Sequence, residues 1–370
     1  MVRLSVAAGQ DHLVNIETRP GEHKFLGHRF IRVLVHDNTC DEGKGKLGGL
    51  GPPRFFVKLS LRLSWQHPTS PAAHVFGFIN CYKPPGMTSR DAVNVVQRRL
   101  RGLRTDDGAK VKVGHAGTLD PLAEGVLVMG VGRAVRLVPY VQQQVKHYRG
   151  KFLLGQSSVS GDLEGEVAQH PDLPIPTLDQ LQTAATGLIG TITQTPPAHS
   201  AIWIDGVRAH ERVRAGEDVD MPSRQVQIDT LQILKYQFPE IELDIQCGSG
   251  TYIRTLGMDL ARAAGSVAVM SHLCRHGVGR FVHTKAVSVQ RLAEDDLEPL
   301  LLPPIMAVAH MPQIEIDEDE SVRLGHGLQI RRTTDDDEAA AINEDGELRA
   351  IVNVRDGAWF PKRVFPTQNS

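Results

Sequence analysis

The chain has 370 residues, 41% of them hydrophobic and 23% charged, with a formal net charge of −2. That content is enough for a large packed domain and a smaller one, and it excludes a polycation overall. The four cysteines (Cys40, Cys81, Cys247, Cys274) form no Cys-x-x-Cys pair, and no apolar run reaches the length of a membrane span, so a metal centre, a disulfide framework and a membrane anchor are all unexpected and a cytoplasmic setting is expected.

Residues 1–74 carry a Gly-rich run from Gly43 to Pro53 and show no lasting period. They read as a disordered extension, or as sequence upstream of the true start. Order is expected from Phe76. Gly77–Tyr82 reads as a strand, Lys83-Pro84-Pro85-Gly86 as a turn, and Ser89 as the N-cap of a helix carrying Ala92, Val93, Val96 and Leu100 on one side. Val111–Val113, Val126–Val131 and His147–Leu154 are strand candidates. Thr177 caps a predicted helix. Gln225–Leu234 and Ile241–Cys247 read as a strand pair, and Tyr252–Ala264 as a helix with Ile253, Leu256, Leu260 and Ala264 on one stripe. Strands and helices without strict alternation predict a mixed α+β sheet rather than a doubly wound one. The texture changes after Pro303-Pro304. Residues 310–370 hold thirteen Asp/Glu against seven Lys/Arg and read as a small β-rich domain. Residues 76–150 hold twelve Lys/Arg against five Asp/Glu. That local surplus suits either a polyanion site or a solvated face.

Two segments carry candidate chemistry. Gly114 to Gly125 places three glycines and a proline between apolar strands and presents His115, Asp120 and Glu124. Such a loop has a fixed backbone and approaches a ligand closely. Asp120 then offers a nucleophile or base, or simply caps its own Asp-Pro turn. In the second segment, Cys247-Gly248-Ser249-Gly250 runs into the helix that begins near Arg254. Amides there suit an anion. An arginine in a first turn opposes the helix dipole, so Arg254 calls for a partner such as a carboxylate.

Residues 76–305 resemble the bacterial TruB family of tRNA pseudouridine-55 synthases. The likeness rests on three ordered motifs: Lys83 to Ser89, Gly114 to Gly125, and Gly250 to Thr255. The resemblance implies an α+β pseudouridine synthase catalytic domain over 75–305, with a mixed, mainly antiparallel sheet core and helices, and a small β-rich PUA-like domain over 310–366. The acidic balance of the latter carries over the fold and not a grip on phosphate. It implies Asp120 as the catalytic carboxylate, Arg254 as its partner, and Tyr148 as the aromatic against the target base. His115, Tyr252, Leu273 and Lys83 fall among substrate-binding positions, Lys83 either bracing the loop or meeting a phosphate. Arg98 and Arg99, with Arg101, Arg104, Lys110 and Lys112, are expected to meet phosphates. The implied substrate is the T-arm of tRNA, met by a monomer without metal or cofactor, because nothing is oxidised and no group is imported. The target base must leave its stack. A guide-RNA-dependent synthase and a non-catalytic tRNA-folding protein remain alternatives on the same motifs. The chain departs from the family pattern with His199 and His210 where tyrosines are usual, Trp203 for a lysine, and Cys274 in the Leu-Arg-Arg stretch.

Overall fold

The structure, a computed structural model, describes residues 75–365 except 106–107, 198–202, 205, 209–211, 213–220 and 332–335. The extension 1–74, His199, His210, Asp335 and the side chain of Trp203 lie outside the described residues. Among those described, no helix is long and apolar enough to cross a membrane.

A mixed sheet forms the centre. Its strands include β1 (Gly77–Lys83), β2 (Val113–His115), β3 (Glu124–Val131), β4 (Lys146–Leu154), β5 (Gly190–Gln194), β6 (Arg224–Gln237), β7 (Glu240–Cys247), β8 (Ala268–Val278) and β9 (Val287–Ser288). They lie in the order β9-β1-β3-β8-β4-β7-β6-β5, with β2 beside β3. The pairs β1/β9 and β3/β8 are parallel, and the other neighbours are antiparallel. This is the mainly antiparallel α+β sheet expected from the sequence. β4 shows why it forms: Lys146, Tyr148, Gly150, Phe152 and Leu154 are buried while His147, Arg149 and Lys151 are more exposed, the period of two that a strand imposes.

Helices packed with this sheet include α1 (Ser89–Arg99), α2 (Val138–Gln143), α3 (Leu178–Gly187) and α4 (Ile253–Ala263). The cap of α1 is Thr88 and not Ser89. Thr88 and Asp91 form a reciprocal capping box, which leaves Ser89 buried and free for another task. Ile253, Leu256 and Leu260 of α4 join Phe152, Leu243 and Ile245 in one apolar cluster. α4 rests so close to β4 that a methyl at Gly257 would lie 2.0 Å from the Phe152 ring.

Beyond the large sheet, β10 (Gln313–Glu315), β11 (Glu338–Ile342), β12 (Leu348–Arg355) and β13 (Ala358–Val364) form the β-rich C-terminal sheet, with α5 (Glu318–Gly325) between its first two strands. One side buries Trp359, Leu324 and Ile330. The other contributes Ala340, Leu348, Ile351 and Phe365 to a cluster with Phe78, Val128, Val138 and Tyr140, an apolar seam joining this sheet to the back of the large one.

Candidate active site

A cleft of about 520 Å³ opens where the Ala116–Asp120 loop faces the Gly248–Arg254 loop. Tyr148, Leu273 and Arg275 also line it, and Pro139, Gln142 and Gln143 of α2 form another part of its wall.

Asp120 is held from both sides along the chain. The hydroxyl of the buried Ser89 donates to the Leu119 carbonyl (3.0 Å) and accepts from the Leu119 amide (2.8 Å). Fully buried Lys83 donates to the carbonyls of Met87 (2.6 Å), Pro84 (2.9 Å) and Pro121 (3.4 Å), and the Gly86 amide donates to Pro121 as well. The first motif is therefore a latch on the second. The phosphate role expected as one alternative for Lys83 fails on this geometry, since its ammonium is sealed from solvent; bracing is the role that fits. Burial pushes the Lys83 amine down to about 8. Lys83→Met should cost about 2 kcal/mol of stability by leaving buried carbonyls unsatisfied. Because the folded amine gives up its proton at lower pH than the unfolded one, the wild type should gain on Lys83→Met as pH rises from about 8 to 10.5. Urea unfolding across that range measures it, and a flat difference would contradict the assignment.

Arg254 enters from the first turn of α4 and is 4% exposed. Its Nε lies 2.9 Å from Asp120 Oδ2, and its Nη1 lies 3.4 Å from Asp162 Oδ2 and donates to the Ser160 carbonyl at 2.6 Å. The partner that the helix dipole demanded is thus present twice. Asp162 is itself held, accepting from Ser160 Oγ at 2.6 Å and the Glu164 amide at 3.1 Å. The Asp120 side chain is 35% exposed, against 3% for Asp162, so only Asp120 can face a ligand. Withdrawal from water raises the Asp120 carboxyl above its ordinary range, outweighing the opposing pull of Arg254. Buried Gln194 fixes the loop entering α4 through both amide atoms, accepting from the Tyr252 amide at 2.8 Å and donating to its carbonyl at 3.1 Å.

Tyr148 and Leu273 stand on adjacent strands β4 and β8, at 8% and 5% exposure. They offer a flat apolar surface to the cleft. Arg275, 2% exposed, donates to Val126 O at 2.7 Å and Gly117 O at 3.0 Å, tying the Asp120 loop to β3. Gly125 is obligatory there: φ is +105°, and a Cβ would lie 2.3 Å from the Arg275 carbonyl oxygen. Tyr252 lines the cleft beneath Arg224, whose guanidinium sits 5.0 Å from the ring centroid.

Two expected positions fall outside. His115, on β2 opposite Met129, precedes the cleft wall that begins at Ala116. Glu124 accepts from Tyr82 Oη at 2.5 Å, lies 3.0 Å from His272 Nε2, and does not line the cleft. Of the cations, Arg98, Arg101, Arg104, Lys110 and Lys112 line a separate exposed groove beside α1. Arg99 does not line it; its guanidinium donates to the Asp295 carbonyl at 3.0 Å. The sequence alone gives Asp162, Gln194 and Arg275 no role and Ser89 only that of a helix cap; of the four, Ser89 lies in the first motif and Arg275 in the Leu-Arg-Arg stretch.

The family model described as "TruB family pseudouridylate synthase (N terminal domain)" matches residues 104–253. A relative named tRNA pseudouridine synthase B from Rhodopirellula baltica is 42% identical over 338 residues, covering 80% of this chain and 96% of the relative. A protein of the same name from Dehalococcoides mccartyi is 36% identical, covering 78% and 96%. Among solved structures, a Cbf5-Nop10-Gar1 complex matches with a TM-score of 0.60 at 22% identity, over 80% of this chain and 87% of that one, a likeness of fold. The paired Asp120 and Arg254 in a cleft, on this fold and among these relatives, establish that the chain belongs to the TruB family of pseudouridylate synthases.

Proposed function

We propose that this chain converts one uridine of tRNA, that at position 55 in the T-loop, into pseudouridine, with Asp120 as the reactive carboxylate. The relatives' shared name supports tRNA as substrate. The observation that carries the reading is the exposed edge of Asp120, held at 2.9 Å by a buried guanidinium at one side of a cleft floored by Tyr148 and Leu273. Isomerisation breaks the N1–C1′ bond, turns the uracil and rejoins it through C5. Asp120 either attacks C1′ or takes the C2′ proton. Both routes need it ionised, and Arg254 favours that form. Tyr148 and Leu273 give the detached base a surface on which to rotate, and the base reaches them only by leaving the T-loop stack.

Mapping pseudouridine in a tRNA transcript and in a bare T-arm hairpin after incubation with the purified protein tests this. Product at the equivalent uridine of both is expected. Product that appears only with an added guide RNA would favour the guide-dependent reading, and binding without product the folding-aid reading.

The groove beside α1 is proposed to meet tRNA phosphates through Arg98, Arg101, Arg104, Lys110 and Lys112. Arg101→Ala combined with Lys110→Ala should weaken tRNA binding and flatten the slope of log K against log salt by about 2. Fluorescence titration across a salt series reads this, and an unchanged slope would remove the groove from the interface.

A further inference from the structure

Helix α2 has two faces with different neighbours. Pro139, Gln142 and Gln143 face the cleft. Val138, Tyr140 and Val141 are buried in the seam shared with Leu348, Ile351 and Phe365 of the C-terminal segment. A six-residue helix without a side-chain cap has little stability of its own, so what it packs against sets its position.

The ties from behind are specific. Tyr140 Oη donates to Glu338 Oε1 at 2.9 Å, and Lys362 Nζ lies 2.7 Å from the same oxygen. Lys362 and Arg363 approach the Tyr140 ring at 5.8 and 5.9 Å. One turn earlier, Arg136 donates to the Val364 carbonyl at 3.1 Å and lies 5.7 Å from the Phe365 ring. At the far end, Gln144 donates to the Ala307 carbonyl at 2.6 Å, and buried Lys146 donates to that of Gln142. Apart from Lys146, which itself lines the cleft, these ties come from residues outside the cleft lining.

We propose that the C-terminal sheet positions the α2 wall of the cleft, with the Tyr140–Glu338 hydrogen bond as the principal tie. Resting on the pseudouridine synthase reading, this deepens it: the sheet serves turnover through the wall it backs. It also gives an acidic segment a part to play at an RNA enzyme's site that needs no phosphate contact. Tyr140 and Glu338 are positioning residues, since neither lines the cleft.

The test uses full-length Tyr140→Phe, Glu338→Ala and Glu338→Gln. The first two should each lower kcat on tRNA about tenfold with KM unchanged. Their combination should be no slower than Glu338→Ala alone, because both remove the Tyr140–Glu338 bond and only Glu338→Ala also frees Lys362. Glu338→Gln keeps an acceptor for Tyr140 and should recover most of the rate. Hydrogen exchange of the backbone amides from Tyr140 to Val145 should speed up in Glu338→Ala and not in Glu338→Gln. Unchanged exchange in Glu338→Ala overturns the proposal, as does a rise in KM with kcat intact, which would mean that the sheet grips RNA instead. If the wild type turned over no tRNA, the functional reading would fail by itself, and the exchange measurement would still decide whether the sheet holds the wall.

Discussion

Asp120→Asn is expected to abolish isomerisation, lowering kcat by about a thousandfold or more, while tRNA affinity stays within about twofold, because the asparagine keeps the shape but neither attacks nor accepts a proton. Two pH effects accompany it. In the wild type the acid limb of kcat should lie above the ordinary carboxylate value of 3.8, since the folded pKa is raised and turnover needs the ionised form. A raised carboxyl pKa also means that stability present below 3.8 is lost as pH rises through the folded value. The ionised side chain therefore strains the fold at neutral pH, and Asp120→Asn should melt no lower than the wild type there, with any advantage vanishing towards pH 4. Retained turnover in this variant would remove Asp120 from the chemistry, and a large fall in melting temperature would contradict the electrostatics.

Replacing Arg254 should do damage of a different kind. Its guanidinium serves three acceptors, Asp120, Asp162 and the Ser160 carbonyl. Arg254→Ala leaves two carboxylates facing each other without the cation between them, one of them 3% exposed. A cost of about 3–5 kcal/mol is expected for such a broken buried pair, together with a fall in kcat of about a hundredfold or more. Arg254→Lys keeps the charge but replaces a planar fork with a point donor. It should recover much of the stability and little of the rate. In Arg254→Lys the acid limb of kcat should also move to higher pH, because the guanidinium's hydrogen bond to Asp120, one of the influences lowering that carboxyl, is gone. Denaturant unfolding alongside single-turnover kinetics separates the two effects. Equal recovery of both by lysine would mean that charge alone matters.

How far the sequence reveals this site depends on whether a signal is local. The helix of Arg254 is legible because Ile253, Leu256 and Leu260 repeat at helical spacing and the arginine sits wrongly for the dipole. β8 carries Leu273 and Arg275, yet it shows no alternation to read. It lies between two strands of the sheet with burial on both faces, so its pattern runs on without a period. Asp162 looks like one more polar residue in the stretch Ser157 to Gly165. Its meaning comes from Arg254, far along the chain, which no window sees. Ser89 reads as the cap because it begins the predicted helix. Thr88 and Asp91 close the capping box one residue earlier, and the displaced serine became a brace for Leu119. The latch by Lys83 was half legible: its place before two prolines suggested a turn, but nothing local showed that its ammonium would be enclosed.

The contact between Gly257 and Phe152 sets a dimension of the whole centre. Position 257 lies about one turn beyond Arg254 on the same rod, and the benzyl plate below it belongs to the strand that bears Tyr148. The hydrogen at 257 thus acts as a spacer of minimal thickness between the arm bearing the cation and the floor bearing the aromatic. One extra carbon there would work like a shim, tilting the arm and opening the gap between two groups that it never touches.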